Sequence, residues 1–167
     1  MNKKLLEKVY IRYARELYLY LYSLCKDSNT AEDLVQETFV KAILSLPDEH
    51  PNFRAWLYRV GKNLYLNHLK RNQKEELREK LPETPDVSEE MLNRYIRCEE
   101  NQRIYREILS LQSDQRQVII LFYFAECSTR EISEIMGLGQ GHVRMLLTRA
   151  RRNLKDRLEE GRNCNEI

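Results

Sequence analysis

Apolar residues recur at every third or fourth position along most of this 167-residue chain, which is the spacing that places them on one face of an α-helix. No stretch alternates apolar with polar residues over enough positions to predict a β-strand. Residues that interrupt helices are few, since the chain has only five Gly and four Pro. The sequence therefore predicts an all-α fold.

Three helices are predicted in the N-terminal part of the chain. The second begins with Thr30 as its N-cap and ends at about Leu46, because Pro47 cannot continue it. The third begins after Asn52, another residue suited to an N-cap, and ends at about Asn72. The first helix has its apolar stripe at Leu5, Val9, Tyr13, Leu17, Tyr20 and Leu24, and the third has its own at Phe53, Leu57, Val60 and Leu64.

The helical pattern stops at the segment KLPETPDVSEE, residues 80–90. Two prolines, several acids and few apolar residues are typical of a flexible linker. A second helical block follows, from about Met91 to Leu158. The sequence thus predicts two small helical domains, at 1–72 and 98–160, joined by an acidic linker at 73–97 and followed by a tail at 161–167.

The second domain contains the pattern of a helix-turn-helix. Ser128 opens a short helix, the glycine-containing turn GLGQG follows, and a longer helix extends from about Gly141 to Leu158. In this motif the second helix enters the major groove of DNA. Its inner face is predicted at Val143, Leu147, Ala150 and Leu154. The second domain is therefore a candidate reader of duplex DNA.

The opposite face of the longer helix has the side chains that a groove reader needs, because long cations reach phosphates and guanine edges. These side chains are His142, Met145, Thr148, Arg149 and Arg152, flanked by Arg144 and Lys155. The alternative interpretation is a solvated basic helix at the end of a domain. His142 has a second alternative of its own, as a cap of the helix.

The second helix presents an acidic, partly apolar face made of Asp33, Gln36, Glu37 and Val40. Carboxylates four positions apart repel by roughly 0.2–0.5 kcal/mol, a cost that a basic partner would offset. Effects within the helix are the alternative explanation. Asp33 stands at capping-box spacing from Thr30, acids favour a helix N-terminus, and Glu37 can pair with Lys41.

The third helix interleaves cations and amides with aromatic residues, a combination that suits single-stranded nucleic acid. Its mixed face has Arg59, Lys62, Asn63, Leu66 and Lys70, and the aromatic residues are Trp56, Tyr58 and Tyr65. Trp56 fits the core better than a stacking platform, and both tyrosines can simply cover the helix. Asn63 is the sharpest candidate, because asparagine has a low helix propensity and no local role is evident for it.

Three stretches in this order, AEDLVQETF, FRAWLYRVGKN and STREISEIMGLGQGHVRMLLTRARRNL, resemble the extracytoplasmic-function (ECF) branch of bacterial RNA polymerase sigma factors. The resemblance implies a first domain that binds the clamp helices of the largest polymerase subunit and the melted −10 element. It implies a second domain that holds the duplex −35 element and contacts the polymerase flap. The expected partners are therefore core RNA polymerase and promoter DNA. An anti-sigma factor is a further candidate, because the family often has one.

The resemblance also assigns site residues. The polymerase-binding set is Asp33, Gln36, Glu37, Phe39 and Val40, with Phe39 acting from the core side. The −10 set is Arg59, Lys62, Asn63, Lys70 and Arg71, in which Asn63 holds a flipped-out base with help from the loop at 47–52. The −35 set is Gly141, His142, Arg144, Met145, Thr148, Arg149 and Arg152. Departures from the residues common in the family leave the promoter sequence open, and they fall at Gly139, His142 and Met145.

Composition and cysteine spacing exclude several classes of function. No run approaches the ~18 apolar residues of a membrane span, and the charged first helix is not typical of a signal peptide. We therefore expect a cytoplasmic protein without membrane insertion. The four cysteines are far apart and lack the spacing of metal ligands. No nucleophile–base set or phosphate loop is evident, so neither enzymatic activity nor a cofactor or metal is expected.

Two other functions fit parts of the sequence. A dimeric helix-turn-helix regulator would bind duplex DNA as a symmetric pair without polymerase. A helical adaptor would bind only protein, and its partner affinity would be insensitive to salt, unlike the affinity of a protein that contacts phosphates. The sigma-factor interpretation accounts for all three stretches together.

Overall fold

A computed structural model describes residues 3–45, 52–73 and 89–165 of the chain. Every regular element within these ranges is helical, which confirms the predicted all-α fold. The chain forms two compact units, Met1–Asp86 and Val87–Ile167. None of the helices in the described ranges is long and apolar enough to cross a membrane.

Three helices form the described part of the first unit: α1 (Lys3–Cys25), α2 (Ser28–Ser45) and α3 (Phe53–Gln73). Each of them packs against the other two. Burial increases along α1, since residues 17–24 are buried on every side of the helix. Leu5 is 43% exposed, so its predicted place in the core is wrong. The first turns of α1 lie at the margin of the unit, where even Val9 and Tyr13 are only half-buried.

The N-terminus of α2 differs from the prediction. Asp27 caps this helix, because its Oδ2 accepts hydrogen bonds from the Thr30 backbone N–H at 3.3 Å and from the Thr30 hydroxyl at 2.6 Å. The predicted cap at Thr30, with Asp33 as its capping-box partner, is therefore wrong. Asp33 lies in the second turn of α2, beyond the first-turn positions where the helix dipole favours an acid.

The N-terminus of α3 agrees with the prediction. Asn52 caps the helix, with its Oδ1 accepting the Ala55 backbone N–H at 3.3 Å. The residues predicted to point inward are buried or half-buried, namely Phe53, Leu57, Val60 and Leu64. The apolar spacing of α3 therefore predicted its inner face correctly.

α3 passes close to both other helices at Gly61, which is buried. A Cβ atom at this position would lie 3.2 Å from Leu17 Cδ1 and 3.4 Å from Thr38 Oγ1. Any larger side chain has to displace one of these neighbours. Glycine therefore allows the close approach of the three helices.

We expect Gly61→Leu to destabilise the first unit by about 1–3 kcal/mol through overpacking. The gain of about 1 kcal/mol in helix propensity from replacing glycine offsets part of this cost, so the net destabilisation should be up to about 2 kcal/mol. Trp56 is the only tryptophan of the chain, so its fluorescence during urea unfolding reports on this unit. Asn67→Leu, at an exposed position of the same helix, is the control. A midpoint for Gly61→Leu at or above that of the control would argue against the close contact.

The second unit begins with a helix inside the segment predicted as a linker. α4 (Glu89–Tyr95) buries Met91 and Leu92, so the predicted linker at 73–97 extends too far toward the C-terminus. Two glutamates in the first turn of α4 favour a helix start. The second helical block, predicted to begin at about Met91, therefore starts two residues earlier.

Four further helices and one π-helical segment complete the described part of the second unit. They are α5 (Glu99–Leu109), α6 (Ser113–Ile119), the π-helical segment (Ile120–Phe124), α7 (Thr129–Met136) and α8 (Gln140–Asn165). α8 packs against α5, α6 and α7. It continues beyond the predicted end at Leu158 and into the predicted tail.

Three cysteines are free thiols: Cys25 is half-buried, Cys98 is exposed and Cys127 is buried. The Cys25 thiol donates to the backbone oxygen of Asp27 at 3.4 Å. Burial raises the pKa of the Cys25 thiol to about 11. Cys25 therefore stays protonated at neutral pH.

Candidate functional sites

The acidic residues of α2 lie together on one exposed face. The exposed residues of this face are Asp33, Gln36, Glu37 and Val40. They line a shallow groove of about 460 Å³ beside the C-terminal part of α3, and the lining residues are Thr30, Asp33, Leu34, Gln36, Glu37, Val40 and His68. The other three exposed residues lie three, four and seven positions after Asp33, which places all four in one row along the helix.

None of the three alternative explanations of these acids holds within the described residues, and the first turn of α2 contains no acidic residue for the helix dipole to favour. Asp33 has no capping role, because Asp27 caps the helix. Glu37 forms no ion pair with Lys41, since neither side chain has a partner among the described residues. The repulsion between the two carboxylates is therefore not offset there, and the face is complementary in charge to a basic partner.

Phe39 is 4% exposed and its ring centroid lies 4.9 Å from that of Tyr10. It supports the acidic face from the core side and offers no contact surface of its own. The apolar part of the face instead continues to Ile43, 42% exposed, and Leu44, 79% exposed. Neither residue was predicted to belong to this face, although they follow Gln36 and Glu37 at the seven-residue spacing of one helix face.

The mixed face of α3 forms one exposed row. Arg59, Asn63, Leu66 and Lys70 follow one another at three or four positions, and all four are exposed. Lys62 is half-buried beside this row. Arg71 is exposed as well, about 100° further round the helix. Four of the five candidate −10 residues therefore share one surface, namely Arg59, Lys62, Asn63 and Lys70. Arg71 lies beside it.

The aromatic residues of α3 contribute less to this surface than its polar ones. Tyr58 is buried, with its ring centroid 5.6 Å from that of Tyr20. Trp56 is half-buried and its ring centroid lies 6.1 Å from that of Phe53. The loop predicted to assist Asn63 spans 47–52, and positions 47–51 lie outside the described residues.

Local hydrogen bonds shape the helix-turn-helix. Ser128 Oγ accepts the Glu131 backbone N–H at 3.1 Å, and Glu131 Oε1 accepts the Ser128 backbone N–H at 3.0 Å, which is a complete capping box. Gly137 ends α7 in the left-handed region, with φ 68°, where glycine has no steric penalty. Two residues later, Gly139 accepts the Val143 N–H at 3.0 Å. These bonds define the turn that positions α8.

α8 presents the predicted DNA-reading residues on its outer side. All of them are exposed: Gly141, His142, Arg144, Met145, Thr148, Arg149 and Arg152. The inner residues Val143, Leu147 and Ala150 are buried. The Thr148 hydroxyl donates to the Arg144 backbone oxygen at 3.0 Å. The outer side therefore combines cations, a hydroxyl and a thioether in one accessible surface.

His142 does not cap α8. The helix begins at Gln140, which places Gly139 at the N-cap position and His142 inside the first turn. The imidazole is exposed and is therefore accessible to a ligand of this face. The capping alternative for His142 is wrong.

Two family models match separate parts of this chain. Residues 9–75 match the Sigma-70 region 2 family, and residues 101–154 match the Sigma-70 region 4 family. The RNA polymerase sigma factor YlaC of Bacillus subtilis (strain 168) is 33% identical over 97% of this chain and 96% of its own. The chain belongs to the ECF branch of RNA polymerase sigma factors. The ECF sigma factor SigM of the same organism is 27% identical over 95% of this chain and 98% of its own.

Solved sigma-factor structures have the same fold as this sigma factor. RpoE of Bartonella quintana, crystallised with the anti-sigma factor NepR, matches with a TM-score of 0.69 at 24% identity, over 92% of this chain and 96% of that one. CnrH, solved with the cytosolic domain of CnrY, matches with a TM-score of 0.64 at 25% identity, over 95% and 90%. These comparisons do not favour the dimeric regulator.

Proposed function

We propose that this sigma factor docks on core RNA polymerase through the acidic face of α2. It reads a melted −10 element with α3 and a duplex −35 element with the outer side of α8. The observation that supports the docking site best is the pair Asp33 and Glu37, exposed, close together and without a partner among the described residues. Such a pair destabilises the free chain slightly and is stabilising only in a complex with a cationic surface.

Docking combines charge with apolar contact. The carboxylates of Asp33 and Glu37 steer a basic helix of the polymerase toward the groove on α2. Val40, Ile43 and Leu44 supply exposed apolar area on the same face, and burying such area contributes about 25 cal/mol per Å². Phe39 keeps α2 in place from below, through its contact with Tyr10.

The −35 element binds the outer side of α8. Arg144, Arg149 and Arg152 reach phosphates and guanine edges in the major groove. Met145 is 40% exposed and offers apolar contact to a thymine methyl group. His142, at the N-terminal end of α8, faces the same ligand and adds a hydrogen-bonding ring.

The −10 element binds the row on α3. Asn63 carries an amide that pairs with the edge of an unstacked base, while Arg59 and Lys70 hold the backbone on either side of it. Extruding a base costs a few kcal/mol, so a site that holds the extruded base favours strand opening. The two units, Met1–Asp86 and Val87–Ile167, are linked in one chain, so binding of one promoter element raises the effective concentration of the other for its own site.

The proposed contacts with polymerase and DNA require no reaction catalysed by this chain. We propose that the chain acts in the cytoplasm as a dissociable subunit, without enzymatic activity and without a cofactor. An anti-sigma factor is a further proposed partner, supported by the complex of the structurally similar RpoE with NepR.

Footprinting tests this function as a whole. Core polymerase with this chain should protect two separate elements on a genomic promoter fragment, and core polymerase alone should protect neither. The chain without polymerase should give no comparable footprint. Strong protection of one symmetric site by the chain alone would support the dimeric regulator instead.

Asn63→Ala should reduce promoter opening while leaving −35 binding unchanged. The side chain is exposed on α3, so its loss should change stability by no more than about 0.5 kcal/mol. Permanganate reactivity of −10 thymines in the complex with polymerase measures opening, and anisotropy of a −35 duplex measures binding. Asn101→Ala, the same change at an exposed position of α5 in the other unit, is the control. Equal permanganate reactivity with the unmodified chain and both variants would mean that Asn63 does not contribute to the −10 site.

A further inference from the structure

Arg151 is fixed in place by aromatic residues of the π-helical segment. Its Nε donates to the Tyr123 hydroxyl at 2.8 Å. Its guanidinium carbon lies 5.3 Å from the ring centroid of Phe122 and 5.6 Å from that of Tyr123, within the range of cation–π attraction. Both Arg151 and Tyr123 are nevertheless exposed, Tyr123 to 53%. This cluster is thus an ordered group on the protein surface.

The cluster borders the DNA-reading side of α8. Arg144, Thr148, Arg151 and Lys155 follow one another at three or four positions and form one row along the helix. Arg144 and Thr148 already belong to the proposed −35 site. Arg151 therefore lies on the same edge of α8, one turn further toward the C-terminus, where the helix runs beside the π-helical segment.

The remaining donors of Arg151 are available to a ligand. Its Nε is used by Tyr123, whereas its two terminal nitrogens have no hydrogen-bond partner among the described residues. A guanidinium presents these nitrogens in a planar fork that matches two oxygens of a phosphate. Because the aromatic contacts already restrict the side chain, less conformational freedom is lost when a phosphate binds.

We propose that Arg151, held by Tyr123 and Phe122, is a preformed site for one DNA backbone phosphate beside the −35 element. The proposal rests on the assignment of the outer side of α8 to DNA. Arg151 contacts the phosphate through its terminal nitrogens. Tyr123 is a positioning residue, because it acts through Arg151. Such a contact fixes the register of α8 on the duplex and does not depend on base sequence.

The same cluster could have a purely structural role, joining α8 to the π-helical segment. Salt dependence separates the two roles. Each phosphate neutralised by a cation contributes about −0.9 to the slope of log affinity against log salt concentration. A contact that only joins α8 to the π-helical segment leaves this slope unchanged.

The test uses the full chain and a short duplex selected from a random pool by the complex of the chain with core polymerase. Anisotropy gives the affinity between about 50 and 200 mM salt. Arg151→Ala should lower the magnitude of the slope by about 0.9 and weaken binding roughly tenfold. Arg151→Lys should keep the slope but not the full affinity, because an ammonium lacks the fork. Tyr123→Phe should keep the slope and lose affinity, since only the positioning bond is removed.

Arg157→Ala is the matched control, exposed on α8 and about 120° round the helix from Arg151. It should change neither slope nor affinity, and far-UV circular dichroism checks that each variant is folded. An unchanged slope in folded Arg151→Ala would overturn the phosphate site, while a loss of affinity in Arg149→Ala would leave the proposed function standing. If the unmodified chain bound the duplex with no salt dependence, the assignment of α8 to DNA would fail, and the phosphate site with it.

Discussion

Glu37→Lys should abolish the association of this sigma factor with core RNA polymerase and leave its fold intact. Glu37 is exposed and has no partner among the described residues. Its replacement should therefore change the free energy of unfolding by no more than about 0.5 kcal/mol. In the complex the same change places a cation against a basic surface, and like charges at an interface cost several kcal/mol.

Co-elution with core polymerase in gel filtration measures this association. Glu7→Lys makes the same charge change at an exposed position of α1 and should co-elute normally. A thermal melt by circular dichroism should give matching midpoints for both variants. Normal co-elution of Glu37→Lys would mean that the acidic face of α2 is not the docking site.

Arg149→Ala should cost about 1–3 kcal/mol of −35 binding, the range expected for a bidentate contact to a guanine. Arg149 is exposed near the middle of the outer side of α8, so its removal leaves the buried Val143, Leu147 and Ala150 untouched. The loss should depend on sequence: affinity for the selected duplex should fall more than affinity for a scrambled one. This dependence distinguishes a base contact from a phosphate contact.

Anisotropy with both duplexes measures the difference. Arg106→Ala removes an exposed cation from α5 and serves as the control for net charge. An equal loss on both duplexes would assign Arg149 to the backbone. No loss on either duplex would exclude it from the −35 site.

Features coded by neighbouring residues were predictable from the sequence. The capping box of Ser128 and Glu131 and the cap at Asn52 need only residues three positions apart, so the sequence contains the whole interaction. The exposed rows on α2, α3 and α8 follow from helix periodicity alone. The assignment of these rows to polymerase and promoter did not follow from periodicity, and it depended on resemblance.

Choices between competing local signals were less predictable. Asp27 and Thr30 are both good N-caps, and the chain uses Asp27 because α1 ends two residues earlier, at Cys25. The exposure of Leu5 and the burial of Phe39 depend on which other helix reaches each position. The predicted domain boundary at 98 lies too far along the chain, because the acidic first turn of α4 resembles the linker before it.

Contacts between distant positions were not predictable at all. Arg151 and Tyr123 are 28 residues apart, and only the packing of α8 against the preceding helical segment brings them together. The close approach at Gly61 likewise requires α1, α2 and α3 in place. In the sequence, Gly61 is an ordinary helix interruption and Arg151 is one of several arginines.

Run-off transcription tests the central claim most directly, that this chain brings core polymerase to a promoter. Purified core polymerase with the chain should produce a discrete transcript from at least one genomic fragment, and core polymerase alone should not. Replacing the chain by Glu37→Lys should remove the transcript, whereas Glu7→Lys should retain it. A chain that never produces a transcript, and that instead binds its duplex tightly as a symmetric dimer, would contradict the account.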